Sequence, residues 1–330
     1  MSPTVLTLLL AVLSPQAQQF DSDTTVSVER GTRLRVHNQG GDIIVKAWDR
    51  NQLRVQASHS PRVEITIQTR GAVVELEARG RRGFSSALVD YRVTVPTWMA
   101  LDLDGMYAEI SVDGVRAPVK ANTLEGNILV KGGAESVTLS TVNGRIEVSG
   151  ARGRLELNAV STGIRVSDVQ GDITAETVSG SIDLRRIDAK IVEAQTVSGD
   201  VIYEGRVADG GSYSLVSHSG EVVFAMSEGS NATINTATAS GEVESSFPLQ
   251  TERSGRRRQV YRTGSGSATV DLETFSGDIR IIRPSALPAV RNDDDDDDGG
   301  RARIKVNPKP KVRVRIPSDH DENDNPENDR

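Results

Sequence analysis

The sequence has no cysteine, which removes a disulfide framework, a thiolate metal site, a thiol nucleophile and a lipid-modified cysteine anchor from consideration. Aromatic residues are scarce: 2 Trp, 5 Tyr and 5 Phe in 330 residues leave little for a long sugar-stacking groove. There is no basic excess, because 39 Lys and Arg face 46 Asp and Glu for a formal net charge of −7, so no nucleic-acid footprint is expected. No apolar run reaches the roughly 18 residues that span a bilayer. The strongest, Val5 to Leu13, is followed by Ser14, Pro15, Gln16 and Ala17, and reads as the h-region and cleavage site of a signal peptide over residues 1–18 that lacks a basic n-region. The expected location is exported (periplasmic, cell-surface or extracellular), with no transmembrane segment once the signal is removed.

What the chain has in quantity is a repeat. Segments of the type S-G-D-I recur at Asn143-Gly144, Ser179-Gly180, Ser198-Gly199, Ser219-Gly220, Ser240-Gly241 and Ser276-Gly277. With the glycine as anchor, apolar residues fall two and four positions later, as in Ile128 and Val130, Ile146 and Val148, Ile182 and Leu184, and Ile279 and Ile281. Before the anchor the same alternation gives Val119, Ala121 and Thr123, or Val137, Leu139 and Thr141. A period of two is the signature of strand. The register also exposes repeats without glycine, anchored at Ala108 and Thr162, so that anchors stand at 108, 126, 144, 162 and 180, a spacing of 18, before loosening to 199, 220, 241 and 277.

Such a unit, two short strands joined by Gly, Asp and Asn turns, is too small to bury its own apolar face, and stacking of neighbours solves that problem. Residues 101–282 are therefore expected to form a parallel β-solenoid, an all-β fold of about 18-residue coils, with an antiparallel sandwich as the rival. Residues 24–100 are strand-rich as well, over Arg33 to Asn38, Asp42 to Lys46, Leu53 to Ala57, Arg62 to Gln68, Val73 to Ala78 and Asp90 to Val95, and would begin the solenoid or cap it. Residues 283–330 read as a charged, largely disordered tail: Asp293 to Asp298, a basic alternating stretch from Arg301 to Ile316, and an Asp, Asn and Glu end. Its piece from Lys311 to Ile316 is a candidate cap for an open solenoid edge.

The ordered combination of G-G-D-I-I-V-K-A-W-D-R at Gly40 to Arg50, V-D-Y-R-V-T-V-P at Val89 to Pro96 and the later S-G-D-I repeats resembles a large family of adhesin-like bacterial β-strand-repeat proteins of unknown function, over roughly residues 25–282. The resemblance implies a β-solenoid-like fold and an envelope or surface location. It carries no catalytic residues with it, and the chain departs from the pattern at Ala108, Thr162 and the charged tail.

Candidate chemistry is thin. Asp183, Asp200, Glu221, Glu242 and Asp278 are outward acids that a polysaccharide hydrolase or lyase would need in pairs, but outward charges on strands are most often a solvated face. His37, His59, His218 and His320 have no metal-ligand spacing, and the serines before the anchors follow from turn chemistry. The Thr column of Thr123, Thr141, Thr177, Thr196, Thr238 and Thr274 shares the inward parity, which argues against an ice-binding face. Asp319, Asp321, Asn323 and Asn325 alternate like calcium ligands but lack the turn glycine and the bidentate Glu. In the irregular stretch between Gly241 and Gly277, Arg253, Arg256, Arg257 and Arg258 are candidate polyanion-binding residues. The reading is a non-catalytic, cofactor-free scaffold for an envelope or surface partner, polysaccharide or protein. A carbohydrate-active enzyme and an envelope element assembling end to end are the alternatives.

Overall fold

The computed structural model describes residues 21–80, 88–255 and 258–287. The expected signal peptide over residues 1–18, and residues 288–330 of the expected charged tail with its acidic runs and basic stretch, lie outside them. All of the regular structure is strand apart from one 3-10 turn at Pro284–Ala286, and the strands join into a single hydrogen-bonded sheet.

Each coil has a long arm that ends at the anchor and a short arm that begins two residues after it. In the Gly126 coil these are Val119–Glu125 and Ile128–Gly132. The long arm pairs in parallel with Ala100–Tyr107 on one side and Ala134–Asn143 on the other, and the short arm with Ile110–Val115 and Ile146–Ser149. The pattern continues through the Thr162, Gly180, Gly199 and Gly220 coils. Pairing between repeats is parallel throughout, which excludes a sandwich of antiparallel repeats and makes the fold β-solenoid-like.

Because register is kept from coil to coil, period two becomes columns. Ile110, Ile128, Ile146, Ile164 and Ile182 form one, and Val112, Val130, Val148, Val166 and Leu184 the next, all buried. Each such side chain contributes about 1.5–3 kcal/mol on leaving water. Where the anchors loosen, the interior takes rings instead: Tyr203 stacks on Phe224 at 4.9 Å, and Tyr213 packs on both. The Tyr213 hydroxyl donates to the Ala189 carbonyl and accepts the Ala208 amide, each at 2.8 Å, so this polar tip is satisfied inside the core.

Stacking order departs from chain order at both ends. The Gly220 coil pairs not with the Gly241 coil but with the Gly277 coil, and the Gly241 coil lies on the far side of the latter. The stretch read as an irregular insertion is a hairpin, Gln250–Ser254 and Arg258–Thr263, laid antiparallel on the outer edge of Ala232–Ser240. At the other end, the first coil of the chain, Arg33–Gly40 with Ile43–Trp48, sits between the Ala108 coil and a later coil of Val73–Gly80 with Val89–Pro96. Antiparallel strands Val63–Arg70 and Gln52–His59 cover that outermost coil, and Ser22–Ser27 covers the latter strand. At each end the stacking thus skips one slot, which a segment from elsewhere in the chain fills.

Candidate interaction surface along one corner

The corner between the two arms is built by three successive positions. The first is the Thr column. Thr141 Oγ1 donates to the Gly126 carbonyl at 3.2 Å, Thr177 to Thr162 at 2.8 Å, Thr196 to Gly180 at 2.9 Å and Thr274 to Gly220 at 3.0 Å, each reaching the turn of the neighbouring coil. These threonines are buried, as their inward parity requires, and Thr238 is half-buried. The second is the anchor column, where turns stack so closely that a Cβ at Gly144 would come within 1.9 Å of the Gly126 oxygen. The Thr162 coil breaks both rules at once. Its corner residue is Ala159, and the missing hydroxyl is supplied by the anchor itself, since Thr162 Oγ1 donates to the Gly144 carbonyl. The Ala108 coil compensates sterically, as Gly105 leaves the space a side chain would take from the Ala108 methyl.

The third position, between the Thr and the residue before the anchor, is the one the sequence reading passed over. It holds Met106, Leu124, Val142, Val160, Val178, Val197 and Phe275 in their respective coils, all between 37% and 58% exposed. His218 takes the same place in the Gly220 coil and stacks on Phe275 with ring centroids 5.0 Å apart. With coils about 4.8 Å apart, the row forms a ridge roughly 30 Å long that is apolar except at His218. Tyr107 and Leu88, also exposed, flank Gly40 in the adjoining column at one end. Isolated exposed apolar residues need no explanation, but a contiguous line of them marks a surface for association. The signal in the sequence was the recurring T-V-S-G itself, at Thr177 to Gly180 and Thr196 to Gly199, in which the Val follows an inward Thr and so cannot point inward too.

The columns beside the ridge carry acids among serines and asparagines and almost no basic charge. Glu109, Glu125, Glu176 and Asp278 are exposed, and Asp104, Asp200, Glu221 and Glu273 half-buried, whereas Arg145 is the one basic residue in those columns between the Ala108 and Gly277 coils. Burial pushes the Glu221 carboxyl above its ordinary 4.5 despite the ion pair with Arg280 that opposes the shift.

A profile of the Toastrack DUF4097 family matches residues 31–282. The chain belongs to the Toastrack family. Solved structures similar to this Toastrack chain include a candidate adhesin from Parabacteroides distasonis, 12% identical, covering 79% of this chain and 96% of that one with a TM-score of 0.44. A candidate lipid-binding protein from the same organism is 10% identical over 80% of this chain and 98% of its own, with a TM-score of 0.42. A candidate cell adhesion protein from Clostridium sporogenes is 11% identical over 79% and 99%, with a TM-score of 0.24. No curated protein matches.

Four of the five acids weighed for catalysis, all but the exposed Glu242, are engaged within this Toastrack fold. Asp200 and Asp278 each accept the backbone amide of the next residue in the column, from Glu221 at 2.8 Å and Glu242 at 2.9 Å, while Arg185 grips both oxygens of Asp183. Arg185 shares the outward parity of Asp183, yet it is buried, drawn flat by that carboxylate. A shallow cavity of about 660 Å³ is lined by Arg186, Asp188, Glu204, Arg206, Asp209 and Asn231 among others, and none of the five weighed acids lines it. Hydrogen bonds from Ser267 and Asn231 hold Asp209 below the ordinary carboxylate range, the wrong direction for a general acid. His59 Nε2 lies 2.8 Å from Ser22 Oγ, but this pair fastens the outermost cap strand to its neighbour. Among the described residues no group of three or more His, Asp and Glu is placed to hold a metal ion, and no helix is long and apolar enough to cross a membrane. Of the four candidate arginines, Arg253 is exposed on the hairpin, Arg258 is paired with Glu273 at 3.0 Å, and Arg256 and Arg257 lie outside the described residues.

Proposed function

We propose that this Toastrack protein is an exported, non-catalytic interaction scaffold of the bacterial envelope, and that it engages a protein partner through the apolar ridge. The observation that carries the reading is the alignment of Met106, Leu124, Val142, Val160, Val178 and Val197, exposed in consecutive coils on one corner. A rigid stack holds such a row in place without an ordering cost on binding, which favours affinity per contact. The division of the chain is proposed as signal peptide over 1–18, N-terminal part and cap over 24–100, solenoid over 101–282 and charged tail over 283–330, with the Arg33–Trp48 coil counted into the stack. End-to-end assembly is disfavoured by the antiparallel strands laid over both terminal coils. Replacing Val142, Val160 and Val178 together by Asp tests the reading, because exposed positions tolerate charge while an apolar contact does not. The variant should keep the parent's circular-dichroism spectrum and be released from the envelope fraction of expressing cells. Retention equal to the parent's would overturn the proposal.

A further inference from the structure

What fits the ridge follows from its cross-section, its repeat and its charge. In cross-section it is convex and one residue wide: Val142, Val160 and Val178 stand out between Ser140, Asn158 and Glu176 on one flank and Asn143, Ser161 and Ser179 on the other. A second copy would set one convex row against another, whereas a partner with a groove receives it. Along the rod the row repeats once per coil, about every 4.8 Å. An α-helix with apolar residues at heptad positions a and d carries one about every 5.3 Å, in two lines with a shallow groove between them, and stays close to step with the coils. An extended strand offers a side chain on one face only about every 6.6 Å and is out of step within a few coils. The length agrees as well, because about 20 helical residues span roughly 30 Å.

The charge is uneven along the row. Asp104, Glu109 and Glu125 stand beside its Met106 end, and Asp200 and Asp278 beside its Phe275 end. Asp104 and Glu109 accept from the side chains of Asn122 and Asn127, and Asp200 and Asp278 from backbone amides, so their partners are neutral and the negative charge stays uncompensated. Glu221 and Glu273 differ, each being met by an arginine. In the middle Ser140, Asn143, Asn158 and Ser161 carry no charge, and Arg145 and Glu176 have opposite signs. The acids at both ends repel an anionic lipid surface and attract cations.

We propose that the occupant of the ridge is an amphipathic α-helix of a partner protein, seated with its apolar stripe on Leu124, Val142, Val160, Val178 and Val197 and with Lys or Arg beside the acids at both ends. This rests on the ridge being the interaction surface and gives the chemistry of what it holds. The apolar middle supplies the contact and the charged ends set the register, so salt weakens the complex without abolishing it.

For the full chain the probe is a fluorescent synthetic helix of about 20 residues with Leu at a and d and Lys at e and g. It should bind several-fold more tightly than the same peptide with Glu in place of Lys, and than one broken by two central prolines. Val142→Ser, Val160→Ser and Val178→Ser together should abolish binding while the circular-dichroism spectrum stays that of the parent. Glu109→Gln with Glu125→Gln should weaken it several-fold and reduce its salt sensitivity. No binding of the Lys peptide, equal binding of all three peptides, or binding that survives the Ser variant each overturn the inference. So does a parent that sediments as a dimer which the Ser variant dissolves, since a second copy then holds the ridge, and so does ridge-dependent binding to phosphatidylglycerol vesicles. Envelope retention of the Val142→Asp, Val160→Asp and Val178→Asp variant separates the two readings. Release of that variant without helix binding leaves the surface and removes only this occupant, whereas retention equal to the parent's removes both.

Discussion

A buried hydroxyl at the corner does two things at once, since Thr141 fills the inward position and satisfies the Gly126 carbonyl. Removing the hydroxyl while keeping the shape, as in Thr141→Val, leaves that carbonyl short of a partner and should cost about 1 kcal/mol. Gly144→Ala is a different kind of change. Its methyl meets backbone oxygen at 1.9 Å, an atom that cannot step aside without moving the neighbouring turn. Destabilisation should therefore be clearly larger than for Thr141→Val in the same urea titration. The Thr162 coil supplies the control: Ala159→Thr should stabilise little, because the Gly144 carbonyl it would reach already accepts from Thr162. A gain from Ala159→Thr as large as the loss from Thr141→Val would show that the two hydroxyls are not exchangeable.

At the level of the strand, the inward columns were legible in advance and the stacking order was not. Ile146, Val148, Ile182 and Leu184 are recognisable from period two alone, and all are buried. Ile146→Asp should accordingly unfold the protein or lower its melting temperature sharply, because a carboxylate would sit without a partner between Ile128 and Ile164, a change of several kcal/mol. A variant that melts like the parent would mean the register is wrong. Order is another matter. One coil's face suits any other where the columns repeat Ile on Ile and Val on Val, and the one hint of order, Thr236 and Ser245 in the Gly241 coil where the Gly277 coil has Leu272 and Ile281, shows only once the columns are aligned. What decides it is the hairpin Gln250–Ser254 and Arg258–Thr263, which needs an outer edge and finds one on Ala232–Ser240. The ridge was missed for a related reason: a Val on a strand satisfies β-propensity wherever it points, and only its place after an inward Thr turns it outward.

The described residues form a rod with antiparallel strands laid over both ends, one apolar corner and mostly polar walls, and that shape bears on what it can do. Turnover needs a base, an acid and a pocket in one place, with at least one group shifted toward neutral pH. Glu221 is shifted upward, but it belongs to a column of carboxylates stacked along a convex corner and is held by Arg280. The cavity beside Asp209 has the opposite shift. The proposed polyanion site on the hairpin is weakened in turn by Glu273, which occupies Arg258, whereas Arg253 is exposed. The purified protein should cleave nothing in a panel of acidic and neutral polysaccharides. It should bind heparin-like polyanions weakly, with retention that falls as salt rises and disappears when Arg253, Arg256 and Arg257 become Ser. Arg258→Ser should matter less than Arg253→Ser, since its charge is already met within the fold. Bond cleavage lost on changing one outward carboxylate would restore the enzyme reading, and polyanion binding that survives the triple Ser variant would move the site off the hairpin.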